Sequence, residues 1–413
     1  MGNWRIKTSL FLNYFVFAIL LNSVGTVILQ VQNNYGVAQG DASILEAFKD
    51  LSIAIVSFLV SSYITRIGYK NAMLIALGFV AVVCFIMPFT GSFFTTKLLF
   101  AAVGSGFALI KMSVYSTIGL VTRDEKQHIS LMNFIESFFM IGILTGYFIF
   151  SYFVDSNNPQ SNSWLKVYYV LGGISLLAFF LLLSSPLDES SVRNQQPDSM
   201  MADFGKMFKL MVQPIVLVFI FCAFFYVLIE QSIMSWLPTF NNKVLLLPAA
   251  LSIQMTSILA GSTAVGRFFA GIVLKKLNWF IVLGICVVLA AALVLTAIPL
   301  AKNTTGQPIT GWSSAPLAAF VFPLIGLLIA PIYPAINSVI LSTLPVQKHG
   351  LMSGLIIIFS ALGGTTGSII TGHIFEAYGG EKAFYFSLIP MAILIICLVI
   401  FRRLQRKIKP AVH

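Results

Sequence analysis

Polar residues in this chain fall in short clusters that separate long apolar runs. Twelve runs approach or exceed the roughly 20 residues that an apolar helix needs to cross a bilayer. These spans, one to twelve in chain order, cover residues 8–31, 42–65, 72–89, 97–121, 128–153, 165–183, 208–237, 248–274, 279–300, 315–344, 351–375 and 383–401. Because a segment inside lipid must satisfy its own backbone hydrogen bonds, the pattern predicts an all-α membrane protein with twelve transmembrane helices.

The longest hydrophilic connection divides the twelve spans into two sets of six. We predict an N-terminal six-helix half over 1–184, a cytoplasmic linker over 185–207 and a C-terminal six-helix half over 208–413. A Gly-x-x-x-Gly pattern at 142–146 in span five recurs at 363–367 in span eleven. Each pair alone indicates only close helix packing, but the recurrence favours two pseudo-symmetric halves.

Composition excludes the common soluble classes. The chain is 58% hydrophobic and 9% charged, whereas soluble proteins carry about 25% charged residues. It contains no Walker loop, no G-x-S-x-G, no H-E-x-x-H and no cluster of Cys and His. We therefore expect no enzyme activity, no metal, no cofactor and no nucleic-acid partner, and we interpret the net charge of +11 as a topology signal.

Lys and Arg residues lie mainly in the loops on one side of the predicted membrane. With both termini inside, seventeen of the 25 face the cytoplasm, five face outward and three lie within spans. The first run has no small-residue cleavage pattern after it, so it is expected to be retained. These features predict a multi-pass protein of the bacterial inner membrane with cytoplasmic termini, embedded in lipid as a monomer.

Charged residues inside the spans are few, and spans three, six, nine and twelve have none in their interiors. The charges are Glu46, Lys49, Asp50, Lys111, Glu136, Glu230 and Arg267. A charge at membrane depth costs about 2.5–3.5 kcal/mol on insertion scales and usually marks a substrate or ion pathway. In a six-plus-six arrangement the four uncharged spans would face lipid, and the others would line a central cavity.

Candidate roles follow from residue type and depth. Lys111 lies near the middle of span four, as a cavity cation for an anionic substrate, as part of the coupling machinery, or as the fixed partner of Glu136, and these roles are compatible. Glu230 lies three to four residues inside the outer end of span seven, as a substrate or coupling residue or as a structural hydrogen-bond anchor. The predicted substrate-binding residues are Asn22, Lys111, Glu230, Gln231, Tyr333 and Asn337.

Transient protonation of a cavity acid would couple transport to a proton. The candidates for proton coupling are Glu46, Glu136 and Glu230. Arg267, near the inner end of span eight, is predicted to be a gating or structural residue that pairs with a neighbouring helix end. Asn13 in span one is a neutral hydrogen-bonding group of weaker significance, and Pro331 and Pro334 predict a kink in span ten.

The C-terminal half resembles a known family. Residues 226–237, YVLIEQSIMSWL, are similar to the seventh span of the fucose/galactose/glucose:proton symporters, which are major facilitator proteins. Gly266-Arg267-Phe268, Tyr333-Pro334-Ala335-Ile336 and Gly363-Gly364 resemble their spans eight, ten and eleven. The layout also resembles the TsgA-like branch. The resemblance implies the major facilitator fold, alternating access and proton symport of a sugar.

The N-terminal half departs from that family. Asn22-Ser23 stands where the family has an Asn-Asp pair, and residues 109–114, LIKMSV, replace an acidic Glu-Thr-Ala-Ala-Asn-Pro stretch. An acid is therefore lost and a base, Lys111, is gained, which favours a substrate with an anionic group.

The predicted function is secondary active transport of a small polar organic solute, a sugar or a sugar-like or organic acid, coupled to a proton. One alternative is a proton-driven exporter of amphipathic compounds, with the 37 Phe and 13 Tyr lining a greasy pocket. Another is a non-transporting membrane sensor.

Overall fold

The computed structural model describes residues 4–61, 64–122, 125–189, 200–274, 276–301, 309–344 and 348–408, and these residues form helices and no strands. The helices up to residue 189 are α1 (Trp4–Asn22), α2 (Val24–Tyr35), α3 (Gln39–Ala42), α4 (Ile44–Ser61), α5 (Ile64–Ile67), α6 (Tyr69–Thr90), α7 (Phe93–Val121), α8 (Glu125–Phe153), a 3₁₀ turn (Asn162–Lys166) and α9 (Val167–Leu183).

The helices after residue 199 begin with an amphipathic segment that precedes the next span. They are α10 (Met200–Met211), α11 (Pro214–Met234), α12 (Leu237–Lys243), α13 (Ala249–Val273), α14 (Trp279–Ala301), α15 (Ala318–Val321), α16 (Ile325–Ile329), α17 (Ile332–Thr343), α18 (His349–Tyr378), α19 (Gly380–Phe386) and α20 (Leu388–Ile408), with 3₁₀ turns at Trp312–Ser314 and Phe322–Leu324.

Eleven helical segments in the described part of the chain are long and apolar enough to cross a membrane. The remaining predicted span corresponds to α4, which has 18 residues but includes Glu46, Lys49 and Asp50. Its three charged residues set α4 apart from the other spans, whereas its length and its average hydropathy are similar to theirs. The all-α, multi-span prediction is confirmed.

Several predicted spans have different boundaries. Span one is interrupted at Ser23, between α1 and α2. The seventh span begins at Pro214, where a proline at the first helical turn costs no hydrogen bond. It continues through α12 to Lys243 rather than ending at residue 237. Span ten is divided into short helices, and its last segment, α17, begins after Pro331.

The chain forms two compact units. The N-terminal unit comprises Met1–Val37 and Ala47–Met200, and the C-terminal unit comprises Ala38–Glu46 and Met201–His413. The predicted division placed the short segment Ala38–Glu46 in the N-terminal half, whereas this segment belongs to the C-terminal compact unit. Part of the predicted linker, residues 190–199, lies outside the described residues.

Within the N-terminal unit, glycines of α8 let α1 approach closely. A methyl group on Gly142 would lie 2.7 Å from the carbonyl oxygen of Phe15, and one on Gly146 would lie 3.2 Å from Ile19 Cγ2. Rings of α1 and α7 fill the space beside this contact: the Phe17 and Phe107 centroids are 6.2 Å apart. The first glycine pair therefore packs span five on span one.

The C-terminal unit repeats this arrangement. Gly363 and Gly367 of α18 face α11, and methyl groups there would overlap the carbonyl oxygens of Phe224 and Leu228. The Ser232 hydroxyl also donates to the Gly367 carbonyl at 3.1 Å. The second glycine pair therefore packs span eleven on span seven, which is the equivalent pairing in a six-helix repeat.

Replacing Gly363 by alanine should destabilise the protein by about 1–3 kcal/mol, because a rigid backbone carbonyl must move to admit the methyl group. The measurement is the melting temperature in detergent. Gly284→Ala is the matched control, since no atom lies within 4 Å of the added methyl group on its helix. Equal melting temperatures for the two variants would contradict the close packing of α11 and α18.

The segment Ala38–Glu46 is held by the C-terminal unit. The Gly40 amide donates to Glu376 Oε2 at 2.8 Å. At Gly372 a methyl group would lie 2.8 Å from Ser43 Cβ and 2.6 Å from the Trp236 ring. The absence of a side chain at Gly372 is therefore what lets the segment lie flat against α18.

Candidate functional site

Four polar side chains form a cluster in the N-terminal unit. Helix α7 begins at a capping box between Ser92 and Thr95 and continues unbroken past Lys111. Four residues later, on the same face, the Tyr115 hydroxyl donates to Glu136 Oε1 of α8 at 2.7 Å. The buried Tyr14 of α1 lies beside this pair, with its ring centroid 6.1 Å from that of Tyr115. We call Tyr14, Lys111, Tyr115 and Glu136 the N-terminal cluster.

Lys111 is the cation of this cluster. Its Nζ lies 5.9 Å from the Phe107 ring centroid and interacts electrostatically with Glu136. Among the described residues, no carboxylate oxygen comes within 4.0 Å of this ammonium. The direct ion pair that the sequence allowed is therefore not formed, and Glu136 accepts a hydrogen bond from Tyr115.

A second cluster lies in the C-terminal unit. The Tyr226 hydroxyl donates to Glu230 Oε1 at 2.8 Å, one helical turn along α11. Arg267 Nη2 of α13 lies 3.9 Å from the same oxygen, and the two side chains are 37% and 20% exposed. Each unit therefore holds a carboxylate bound by a tyrosine hydroxyl and close to a basic side chain.

The C-terminal cluster extends to α17. The Tyr226 and Tyr333 rings stack with centroids 5.4 Å apart and planes inclined by 21°. The Tyr333 hydroxyl is 2.9 Å from Ser360 Oγ. Asn337, one turn after Tyr333, has a buried amide oxygen with no hydrogen-bond partner among the described residues. Glu230, Arg267, Tyr333 and Asn337 are thus brought to one region.

Two predicted residues lie in another part of the C-terminal unit. The Ser235 hydroxyl is 2.8 Å from Glu46 Oε2 and 3.2 Å from Gln231 Oε1. Glu46 is fully buried. The proton-coupling candidate Glu46 and the binding candidate Gln231 therefore share one hydroxyl, one turn beyond Glu230.

Glu230 and Arg267 are brought together at 3.9 Å. Glu230 lies four residues before the end of α11 at Met234, and the apolar segment continues through α12 to Lys243. The depths of both residues in the membrane stay predictions. Asn22 donates its amide to the Ala18 carbonyl at 2.9 Å, at the end of α1, and belongs to neither cluster.

Tyr333 was predicted, whereas Tyr14, Tyr115 and Tyr226 were not among the predicted site residues, although helical spacing offered a signal for two of them. Tyr115 follows Lys111 by four residues and Tyr226 precedes Glu230 by four, so each lies on the same face as a charged residue. Ser235 and Ser360 gave no comparable signal, since isolated serines are common in membrane helices.

A sequence comparison places the chain among membrane carriers. Residues 10–322 match the Major Facilitator Superfamily. The chain is also 23% identical to the protein TsgA homolog of Buchnera aphidicola subsp. Baizongia pistaciae (strain Bp), over 97% of this chain and 96% of that protein.

Solved structures of transporters have a similar fold. A D-xylose–proton symporter aligns with a TM-score of 0.78 at 11% identity and full coverage of both chains. The nucleoside transporter NupG aligns at 0.70 with 16% identity, over 97% of this chain and 98% of that one. FucP in its outward conformation aligns at 0.62 with 14% identity, over 97% and 98%. With all-helical architecture, charges inside its spans and a family match over most of its length, this chain belongs to the major facilitator superfamily and is a multi-pass membrane transporter, not an enzyme.

Proposed function

We propose that this protein is a proton-coupled transporter of a small polar organic solute that carries an anionic group. The observation that carries the proposal is Lys111, a cation deep in α7 with no carboxylate of the described residues within 4.0 Å. A charge at this depth is costly and is usually retained for a substrate or ion. An incoming carboxylate would give the ammonium the charged hydrogen-bond partner that it lacks.

Proton coupling is assigned to the tyrosine-held acids. Glu136 and Glu230 each accept a hydrogen bond from a tyrosine and lie near a basic residue. Loss of charge on such an acid frees the neighbouring cation, so substrate binding and protonation favour one another by electrostatics. Glu46, beside Ser235, is the third candidate acid.

The solute is expected to carry hydroxyl groups. Neutral hydrogen-bonding groups stand beside the charges within each unit: Tyr14 and Tyr115 belong to the cluster of Lys111, and Tyr333, Ser360 and Asn337 to that of Glu230 and Arg267. Structurally similar proteins include a D-xylose–proton symporter and a nucleoside transporter, which supports a hydroxylated solute. A sugar acid or a small hydroxylated carboxylate satisfies both requirements. Alternating access, a monomeric state, an inner-membrane location and cytoplasmic termini complete the proposal.

The test is proton movement in proteoliposomes containing a pH-sensitive dye. Neutral hexoses and deoxyhexoses are added singly, followed by sugar acids and small carboxylates. We expect lumenal pH to change with acids and not with neutral sugars. A response to neutral sugars alone would remove the anionic group from the proposal. No response to any solute, combined with resistance of expressing cells to amphipathic compounds, would favour an exporter instead.

A further inference from the structure

The centre of the N-terminal unit contains polar oxygen atoms that no part of the proposed site uses. Ser9 and Asn13 of α1 and Ser113 and Thr117 of α7 are all fully buried. The hydroxyls of the three alcohols and the amide oxygen of Asn13 have no hydrogen-bond partner among the described residues. We call these four side chains the polar seam.

These hydroxyls differ from others in the same unit. A hydroxyl inside a membrane helix commonly donates to the carbonyl one turn earlier. Ser175 does so to Leu171 at 2.8 Å, and Thr122 to Ile118 at 2.7 Å. Ser113 and Thr117 do not, so their hydroxyls remain available to a ligand.

Helical register places the four residues in one column. A methyl group on Gly106 would lie 2.9 Å from Val80 of α6 and 3.1 Å from Phe17 of α1, so this face of α7 meets both helices. Ser113 and Thr117 lie seven and eleven residues after Gly106, which returns them to the same face.

Helices α6 and α1 continue this column toward the same end of the unit as α7 does. Met73 lies seven residues before Val80, and Asn13 lies one turn before Phe17. The Asn13 amide nitrogen is 3.7 Å from Met73 Sδ, so these two residues lie at the same height along the axes of α1 and α6. Ser9 is one further turn along α1, as Thr117 is along α7.

We propose that the polar seam holds a short file of ordered water molecules and that protons reach Glu136 along it. Buried waters typically make about three hydrogen bonds to otherwise unsatisfied groups, and the seam offers two pairs of such groups, each pair one turn apart. Water suits hydroxyls because both can donate and accept. A metal cation suits them less, since the four groups are neutral and Lys111 lies two residues before Ser113.

The file leads toward the N-terminal cluster. Tyr14 follows Asn13 directly, is buried, and interacts electrostatically with both Tyr115 and Glu136. Ser9 and Thr117 lie near the ends of α1 and α7 at Trp4 and Val121. A proton entering at those ends would therefore pass the seam before reaching Tyr14 and Glu136. This role rests on the proposed proton exchange at Glu136, whereas the presence of water does not.

Radiolytic footprinting tests for the water directly. Hydroxyl radicals formed from bound water oxidise nearby methionine to its sulfoxide, and Met73 is fully buried beside Asn13. We expect Met73 to be oxidised in the wild-type protein, and oxidation to fall severalfold in Thr117→Val and in Ser113→Ala. Ser175→Ala is the matched control, because its equally buried hydroxyl is satisfied within its own helix. Melting temperatures confirm folding, and either variant alone suffices if the other fails to fold.

Three outcomes would overturn the proposal. Met73 could remain unoxidised in the wild type while exposed methionines react, which would mean that the seam is dry. Oxidation could be equal in the seam variants and in Ser175→Ala. Sodium could protect Met73 where potassium does not, which would assign the seam to a cation. Proton uptake into dye-loaded proteoliposomes then tests the proton path. If footprinting shows water in the wild type, normal proton uptake in Thr117→Val would exclude the proton path without contradicting the presence of water.

Discussion

Replacing Lys111 by methionine should strongly reduce uptake of the anionic solute while leaving the protein inserted and folded. Methionine keeps the length of the side chain and removes its charge. A hydrogen bond to a charged group contributes about 1.5–3 kcal/mol, and each 1.4 kcal/mol is tenfold in affinity, so binding should weaken about ten- to hundredfold. Membrane insertion should be no less favourable than in the wild type, because the substitution removes a charge that is costly at membrane depth. The measurements are substrate binding in detergent and counterflow in proteoliposomes.

Lys97→Met is the matched control for this variant. Lys97 is also in α7, but near its N-terminal end, where its Nζ lies 4.3 Å from the Phe93 ring centroid. Its replacement should leave binding unchanged. Wild-type flux from the Lys111 variant would exclude the cavity cation, and a complete loss of transport in both variants would point to a general effect of charge on the helix.

Replacing Glu230 by glutamine should separate solute movement from the proton gradient. Glutamine still accepts the hydrogen bond from Tyr226 but cannot exchange a proton at this position. We expect accumulation driven by a pH gradient to fall to simple equilibration, while exchange of solute across equal concentrations continues. Loss of the carboxylate also leaves Arg267, 3.9 Å away, without this negative neighbour, so some change in solute affinity should accompany the loss of coupling.

Asp155→Asn serves as the control for Glu230→Gln, because Asp155 is an exposed carboxylate that only caps the turn at Asn157 and Asn158. It should transport as the wild type does. Unchanged pH-dependent accumulation in the Glu230 variant would exclude Glu230 as a proton carrier and leave Glu136 and Glu46 as the candidate acids.

The sequence predicted the fold well because the membrane constrains it strongly. Apolar length located the spans, and the two Gly-x-x-x-Gly patterns lie where α8 meets α1 and where α18 meets α11. Helix ends were less predictable. Pro214 starts the seventh span because proline suits the first turn, and the polar residues Asn241 and Asn242 of α12 hid its continuation to Lys243.

The candidate site could be predicted only as a set of charges. Lys111, Glu136, Glu230 and Arg267 were conspicuous because charge is rare in lipid. Their hydrogen-bond partners Tyr115, Tyr226 and Ser360 were not conspicuous, because tyrosine and serine are ordinary residues in membrane helices. Only the packing of the helices shows which groups their hydroxyls contact. The polar seam was invisible for the same reason: Asn13 alone attracted notice, and only burial shows that its oxygen lacks a partner.

The placement of Ala38–Glu46 affects how the molecule can be dissected. A chain cut between the halves of its sequence, at residues 190–199, would produce a second fragment that lacks residues packed into its own core. Ser235 would lose its hydrogen bond to Glu46, and Gly372 would lose its packing contact with Ser43. Fragments that follow the sequence repeat therefore do not coincide with the two compact units, and an assay of the C-terminal fragment should supply these nine residues, for example by co-expression of the N-terminal fragment.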